Sequence, residues 1–256
     1  MEEWRYKPAM DLGTAGAERL RSVERESGLL GLISRNLWWW WVRGALRLTE
    51  RIEVDGREHL PEAAPFVIVS NHASHLDAMV LATALPLRLR NRVLPLAAGD
   101  TFFETPLVAA FAANMMNALP LWRKNCGHHA IDTLRERLVA EPCGYILFPE
   151  GTRSRTGQMA AFRPGIGMLV AATQIPVIPC HLEGTFHAMP PGAKWPRPGR
   201  IVMRIGRVRR FAEAPNDRAG WQMVAQVLEE AVRGLRRRIQ AEEHHRWTQI
   251  NTDAEG

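Results

Sequence analysis

The spacing of apolar residues changes character once along this chain, near residue 50. Before it, residues 29–50 form a dense apolar stretch, LLGLISRNLWWWWVRGALRLTE, interrupted by Arg35, Asn36, Arg43 and Arg47. Its length and lack of proline predict a helix. Its charges leave no uncharged run near the ~20 residues that a membrane-spanning helix needs. After it, short apolar runs alternate with helical patterns. Strands are predicted at 66–70, 93–98, 118–122, 145–148, 177–181 and 201–205, and helices at 77–84, 106–113, 128–140, 165–172 and 221–242. Nearly continuous apolar strands separated by helices predict an α/β fold with a mostly parallel or mixed central sheet flanked by helices. N-terminal membrane-docking helices precede it, the first around residues 15–26. The expected division is an N-terminal helical, interfacial segment (1–50), an α/β domain (51–242) and a flexible tail (243–256).

Four consecutive tryptophans, Trp38, Trp39, Trp40 and Trp41, lie in the first apolar stretch. On a helix they point around most of the circumference, so they cannot share one narrow face. They serve either as core packing or as anchors in a membrane interface, where indole rings favour the headgroup zone. Arg35, Arg43 and Arg47 fall within roughly a third of the circumference and would form a phosphate-facing stripe. The expectation is peripheral attachment through Trp38–Trp41, Arg35 and Arg43.

Composition narrows the partners. The 256 residues carry a formal net charge of +6, which favours an anionic partner such as acidic lipid headgroups or a phosphorylated substrate. No zinc-finger spacing or RNA-binding aromatic motif accompanies the basic residues, so no nucleic-acid partner is expected. Three widely spaced cysteines, Cys126, Cys143 and Cys180, offer no CxxC pair and point to a reduced protein. The first residues, MEEWRYKPAMD, hold no apolar core of a secretory signal. The expected location is the cytoplasmic face of a membrane.

Two polar motifs follow predicted strands. The first is Asn71-His72-Ala73-Ser74-His75-Leu76-Asp77. A neutral imidazole accepts a proton from a hydroxyl when one ring nitrogen is free and a carboxylate holds the other, fixing the tautomer and stabilising the imidazolium. His72 at a strand end and Asp77 in the next helix's first turn fit that pair, with a substrate hydroxyl as the nucleophile. No GxSxG motif is present, which fits direct transfer rather than a covalent acyl-enzyme. His75 reads as a hydrogen-bonded helix-start residue. A metal site on His72, His75 and Asp77 lacks a further ligand at a recognised spacing, so no metal is expected.

The second motif is Phe148-Pro149-Glu150-Gly151-Thr152-Arg153-Ser154. Its glycine allows close backbone approach, and its arginine suits bidentate phosphate binding. Arg123, after another strand, is a second clamp. A phosphate held by Arg123 and Arg153 would bring the acceptor hydroxyl to His72. Arg155 and Arg163 read as surface cations. Glu150 beside a phosphate would repel it unless it bonds substrate hydroxyls or holds an arginine.

These residues resemble the phospholipid/glycerol acyltransferases, the family that includes 1-acylglycerol-3-phosphate acyltransferases. Four blocks stand in that family's order: NHASHLD (71–77), NALPLWR (117–123), FPEGTRS (148–154) and IPVIPC (175–180), covering about residues 50–210. The resemblance implies transfer of an acyl group from acyl-CoA or acyl-carrier protein, with no cofactor, to a lysophospholipid. The leading acceptor is 1-acylglycerol-3-phosphate, which gives phosphatidic acid. It implies His72 as general base, Asp77 as its orienter, and Arg123, Glu150, Gly151, Thr152 and Arg153 around the acceptor. Asn71, Pro149, Pro176, Ile178 and Pro179 would shape the pocket. Asn117 stands where the second block often begins with glycine, a departure that bears on the acceptor rather than the reaction. The rivals are an acyltransferase for an amino-acid-derived or glycolipid acceptor, a metal-dependent hydrolase, and a membrane-binding scaffold.

Overall fold

A computed structural model of the chain describes residues 11–254 apart from 12, 15, 27, 123–127, 142 and 194. In chain order the elements are α1 (Gly16–Arg21), α2 (Leu29–Thr49), β1 (Glu50–Asp55), β2 (Phe66–Ser70), α3 (Leu76–Ala84), α4 (Leu87–Arg90), β3 (Val93–Ala98), α5 (Gly99–Phe102), α6 (Pro106–Asn114), β4 (Leu119–Leu121), α7 (His128–Ala140), β5 (Gly144–Leu147), α8 (Gly165–Val170), β6 (Val177–Glu183), α9 (Thr185–Ala188), β7 (Gly199–Ile205) and α10 (Arg218–Ala254). Among the described residues, seven strands form one sheet in the order β1-β7-β6-β2-β5-β3-β4. All neighbours run parallel except β6 and β7. The mixed α/β sheet expected from the sequence is therefore the fold.

Alternation along each strand divides the core into two layers. Val67, Val69, Tyr145 and Val177 face α7, α8 and α10 through Leu134, Leu138, Ile166, Val224 and Leu228. Phe66, Ile68, Ile146 and Ile178 face α2 and α3 through Trp39, Val42, Leu46, Val80 and Leu81. Cover on both faces is why these strands read as unbroken apolar runs instead of alternating ones.

Two boundaries differ from the expectation. β1 pairs in parallel register with β7, Glu50 opposite Gly199 and Asp55 opposite Arg204. Its sequence, ERIEVD, alternates charge with Ile52 and Val54, as an edge strand should, but no turn residue separates it from α2. The last helix runs to Ala254, past the expected boundary at 242, because residues 235–254 contain no proline or glycine to stop it.

Helix α2 corrects two of the expected membrane contacts. Arg35, Trp39, Val42 and Leu46, spaced i, i+4, i+7 and i+11, form its buried face, with Trp39 only 2% exposed. Arg35 and Trp39 therefore belong to the interior, and burial lowers the basicity of Arg35. The opposite face carries Ile33, Leu37, Trp40, Trp41 and Leu48, all exposed. Trp38 is half-buried between them. It stacks on Trp41 (centroids 5.3 Å) and meets Phe111 of α6 edge-on at 5.0 Å. The apolar surface thus continues onto α6, where Leu107 is 86% exposed. Arg43 and Arg47 are exposed. Among the described residues, no helix is long and apolar enough to cross a membrane.

Candidate active site

β2 and β5 are neighbours, and their onward connections leave on opposite sides of the sheet: α3 packs in one layer and α8 in the other. Open α/β sheets form a crevice outside the carboxyl ends of strands at such a switch point. Both polar motifs sit there, one after Ser70 and one after Leu147.

The ring of His72 is fixed by geometry. Its Nδ1 lies 2.8 Å from Asp77 Oδ2. The same oxygen accepts the amides of Ala73 at 2.7 Å and Ser74 at 2.8 Å. Asp77 is fully buried, whereas the His72 side chain keeps 20% exposure. A carboxylate beside Nδ1 places the ring proton there and leaves Nε2 as the free base. The ring stacks on Phe148 at 4.1 Å between centroids and 15° between planes, which removes its rotational freedom. Asp77 Oδ1 is buried without a hydrogen-bond partner among the described residues.

The 148–154 turn grips the backbone of the same histidine. Glu150 Oε1 accepts the amide of His72 at 2.7 Å, and the amide of Ser154 donates to the carbonyl of His72 at 2.8 Å. Glu150 Oε2 accepts the amide of Ala160 at 2.8 Å. Both carboxylate oxygens are thus used inside the protein. Glu150 is buried, and burial raises its pKa against the pull of those two amides. Glu150, expected at the acceptor, is bonded here to the main chain of the protein and holds the loop that carries His72. Gly151 has φ of 76°, and a Cβ there would lie 2.9 Å from Arg163 Nε. Arg163, expected as a plain surface cation, crosses the turn at this point, and its own amide bonds the carbonyl of Pro149 at 2.9 Å.

Arg153 is half-buried, and Thr152 is exposed. Burial lowers the basicity of Arg153 while the charge of Asp77 raises it. The pKa of His75 is lowered by burial and then by the charges of Arg153 and His72. His75 packs edge-on against Phe102 at 5.8 Å. Arg153 therefore acts electrostatically on the loop that carries His72 and His75. Arg123 lies outside the described residues. Among those described, no three His, Cys, Asp or Glu side chains gather as a metal would need.

Of the expected pocket-shaping residues, Ile178 and Pro179 lie within β6, Pro176 directly before it and Asn71 directly after β2. Asn71 mimics a strand residue: its Nδ2 donates to the carbonyl of Leu182 at 2.9 Å, and its Oδ1 accepts that residue's amide at 2.8 Å. The carbonyl of Pro176 accepts the amide of Val67 at 2.9 Å. Val67 is five residues before His72 and about 16 Å away along the strand. Ile178 is buried on the α3 side, and the carbonyl of Pro179 accepts from Gly206 at 2.7 Å. A buried central strand has no free rim at that depth. Missed by the sequence reading were the stacking role of Phe148 and the anchoring amides of Ser154 and Ala160. Phe148 stood in the motif, but its partner depended on which strands are neighbours.

Known proteins resemble this chain in sequence and in fold. A family model described as Acyltransferase matches residues 51–183, just over half of the chain. The 1-acyl-sn-glycerol-3-phosphate acyltransferase alpha of Mus musculus is 31% identical over 160 residues, 60% of this chain and 53% of that protein. The chloroplastic 1-acyl-sn-glycerol-3-phosphate acyltransferase BAT2 of Brassica napus is 33% identical over 147 residues, 56% of this chain and 40% of that one. The chain spans about half the length of the curated relatives it matches. The crystal structure of the 1-acyl-sn-glycerophosphate acyltransferase PlsC from Thermotoga maritima shares the fold, with a TM-score of 0.58 and 22% identity over 79% of this chain and 78% of that one. The matched span begins inside β1 and closes at the end of β6, enclosing His72, Asp77 and the 148–154 turn, and this chain belongs to the acyltransferase family.

Proposed function

We propose that this protein moves a fatty acyl group from an acyl thioester, of CoA or acyl-carrier protein, to the free hydroxyl of 1-acylglycerol-3-phosphate, giving phosphatidic acid. The observation that carries the reading is the His72–Asp77 pair at 2.8 Å, held by the 148–154 turn at the carboxyl edge of the sheet. The relatives named above act, by their names, on that acceptor class. The acceptor hydroxyl attacks the thioester carbonyl carbon while His72 Nε2 takes its proton. The C–O bond forms, the C–S bond breaks, and the imidazolium returns the proton to the departing thiolate. Asp77 stabilises the imidazolium. Arg153, with Arg123, anchors the phosphate, and Glu150 positions His72. The enzyme attaches peripherally to the cytoplasmic face of a membrane through the exposed ridge of α2 and the neighbouring face of α6, where Trp40, Trp41 and Leu107 are exposed and Arg43 can meet anionic lipids.

The test is release of the thiol from palmitoyl-CoA in the presence of 1-acylglycerol-3-phosphate, measured for the intact protein and for His72→Ala. Acceptor-dependent release that falls by about 10²–10⁴ in the variant is the expected result. Release that persists in His72→Ala would remove His72 from the mechanism.

A further inference from the structure

A second basic cleft lies at the far end of α3 from the His72–Asp77 pair, about 12 Å away along that helix. It has a volume of about 280 Å³ and is lined by Arg43 of α2, Arg57, the α3–α4 turn from Thr83 to Pro86, and Arg88. Among the described residues, no carboxylate lines it. The two helix-borne arginines are exposed and reach it from separate helices. Arg57 Nη1 bonds the carbonyl of Ala84 at 2.9 Å. It thereby covers a carbonyl at the C-terminal end of α3 that would otherwise repel an anion. The field extends further: Arg90, buried two residues past Arg88, has its basicity lowered by burial and then by Arg43.

We propose that this cleft binds the phosphate headgroup of an anionic bilayer lipid, at a site separate from the acceptor site. Its volume is at the small end for ligand clefts, which suits a headgroup but not an acyl chain. Apolar surface begins at its mouth. Leu87, between the lining residues Pro86 and Arg88, is 59% exposed, and Trp40, one turn from Arg43, is 80% exposed. A free phosphate has no use for those two side chains, whereas a lipid places its acyl region against them. The assignment rests on the proposed attachment of α2 to a membrane.

The experiment measures sedimentation of the full chain with phosphatidylcholine vesicles, with and without phosphatidylglycerol. The variants are Arg43→Gln/Arg88→Gln, Arg47→Gln and Trp40→Ser. Arg47 is exposed on α2 one turn from Arg43 and does not line the cleft. The double variant is expected to lose the gain from phosphatidylglycerol by roughly tenfold or more, Arg47→Gln far less, and neither to alter binding to pure phosphatidylcholine. Inorganic phosphate alone should bind the intact chain far more weakly than phosphatidylglycerol vesicles do. Equal losses in the double variant and in Arg47→Gln would overturn the site in favour of diffuse charge. Free inorganic phosphate that binds the intact chain as tightly as phosphatidylglycerol vesicles do, and is lost in the double variant, would overturn the bilayer lipid as its ligand. Failure of the attachment reading has its own signature: Trp40→Ser would bind phosphatidylcholine as well as the intact protein does.

Discussion

The loop after β2 and the turn after β5 leave neighbouring strand ends, and each contributes one buried carboxylate, yet the two acids act on different things. Asp77 directs one oxygen at an imidazole nitrogen and two amides of its own loop. Glu150 directs its two oxygens at the amides of His72 and Ala160, residues far apart in the chain. One carboxylate governs where a ring proton sits; the other governs where His72 sits. Two acids in one crevice are therefore not interchangeable partners in acid–base chemistry. Their roles follow from whether they face a titratable ring or the main chain.

The sharpest way to break this contrast is Asp77→Asn. Loss of the charge behind Nδ1 should lower acyl transfer by about 10²–10⁴ with little change in acceptor KM, read from steady-state kinetics. Glu150→Gln comes next. The amide would turn an NH₂ toward a backbone donor, costing about 1–3 kcal/mol of stability. The displaced base should lower kcat by roughly 10–100-fold, with both effects read from thermal unfolding and turnover. A Glu150→Gln enzyme with raised acceptor KM, intact kcat and intact stability would return Glu150 to the acceptor and erase the contrast.

The support of the first loop through β6 gives a pH test. Asn71 grips Leu182, and its neighbour His181 is buried, with its pKa lowered to about 4 by burial and then by Arg236, against the pull of Asp77. The unfolded chain protonates this histidine below about pH 6.5, while the folded one stays neutral to about 4. Its contribution to stability is therefore complete above pH 6.5 and is lost as pH falls from there toward 4. His181→Gln should flatten that acid slope by up to about 3 kcal/mol, read from denaturant midpoints across the window. The smallest effect belongs to Gly151→Ala. Its left-handed φ and the adjacent Arg163 side chain predict a loss of about 1–2 kcal/mol, with activity retained within severalfold.

Much of the site was legible because its chemistry is local. His72 and Asp77 are five residues apart, and a strand end followed by a helix start brings them together. The strands at 66–70, 93–98 and 145–148 were legible because burial on both faces keeps them almost wholly apolar, with the hydroxyl of Ser70 at a strand end. What escaped depended on strand order. That Glu150 reaches His72, or that Phe148 stacks on its ring, follows from β2 lying beside β5, and no spacing between residues 72 and 150 encodes that neighbourhood. The same limit explains Pro176, Ile178 and Pro179, whose motif is a central strand. The arginine stripe on α2 failed for another reason. Helical geometry put Arg35 on one side with Arg43, but the core took the face that Arg35 shares with Trp39, Val42 and Leu46.

Glu50 is at once the cap of α2, its amide bonded to the carbonyl of Leu46, and the first residue of β1, paired with Gly199. Helix and sheet are thus joined without a hinge. In the proposed attachment, any tilt of α2 against a bilayer is a tilt of the whole sheet, and the height of His72 above that bilayer is set when the helix seats. On the proposed function, such a molecule works like a tool welded to its handle: it does not reach for a lipid, and the lipid must rise to the one level at which His72 waits.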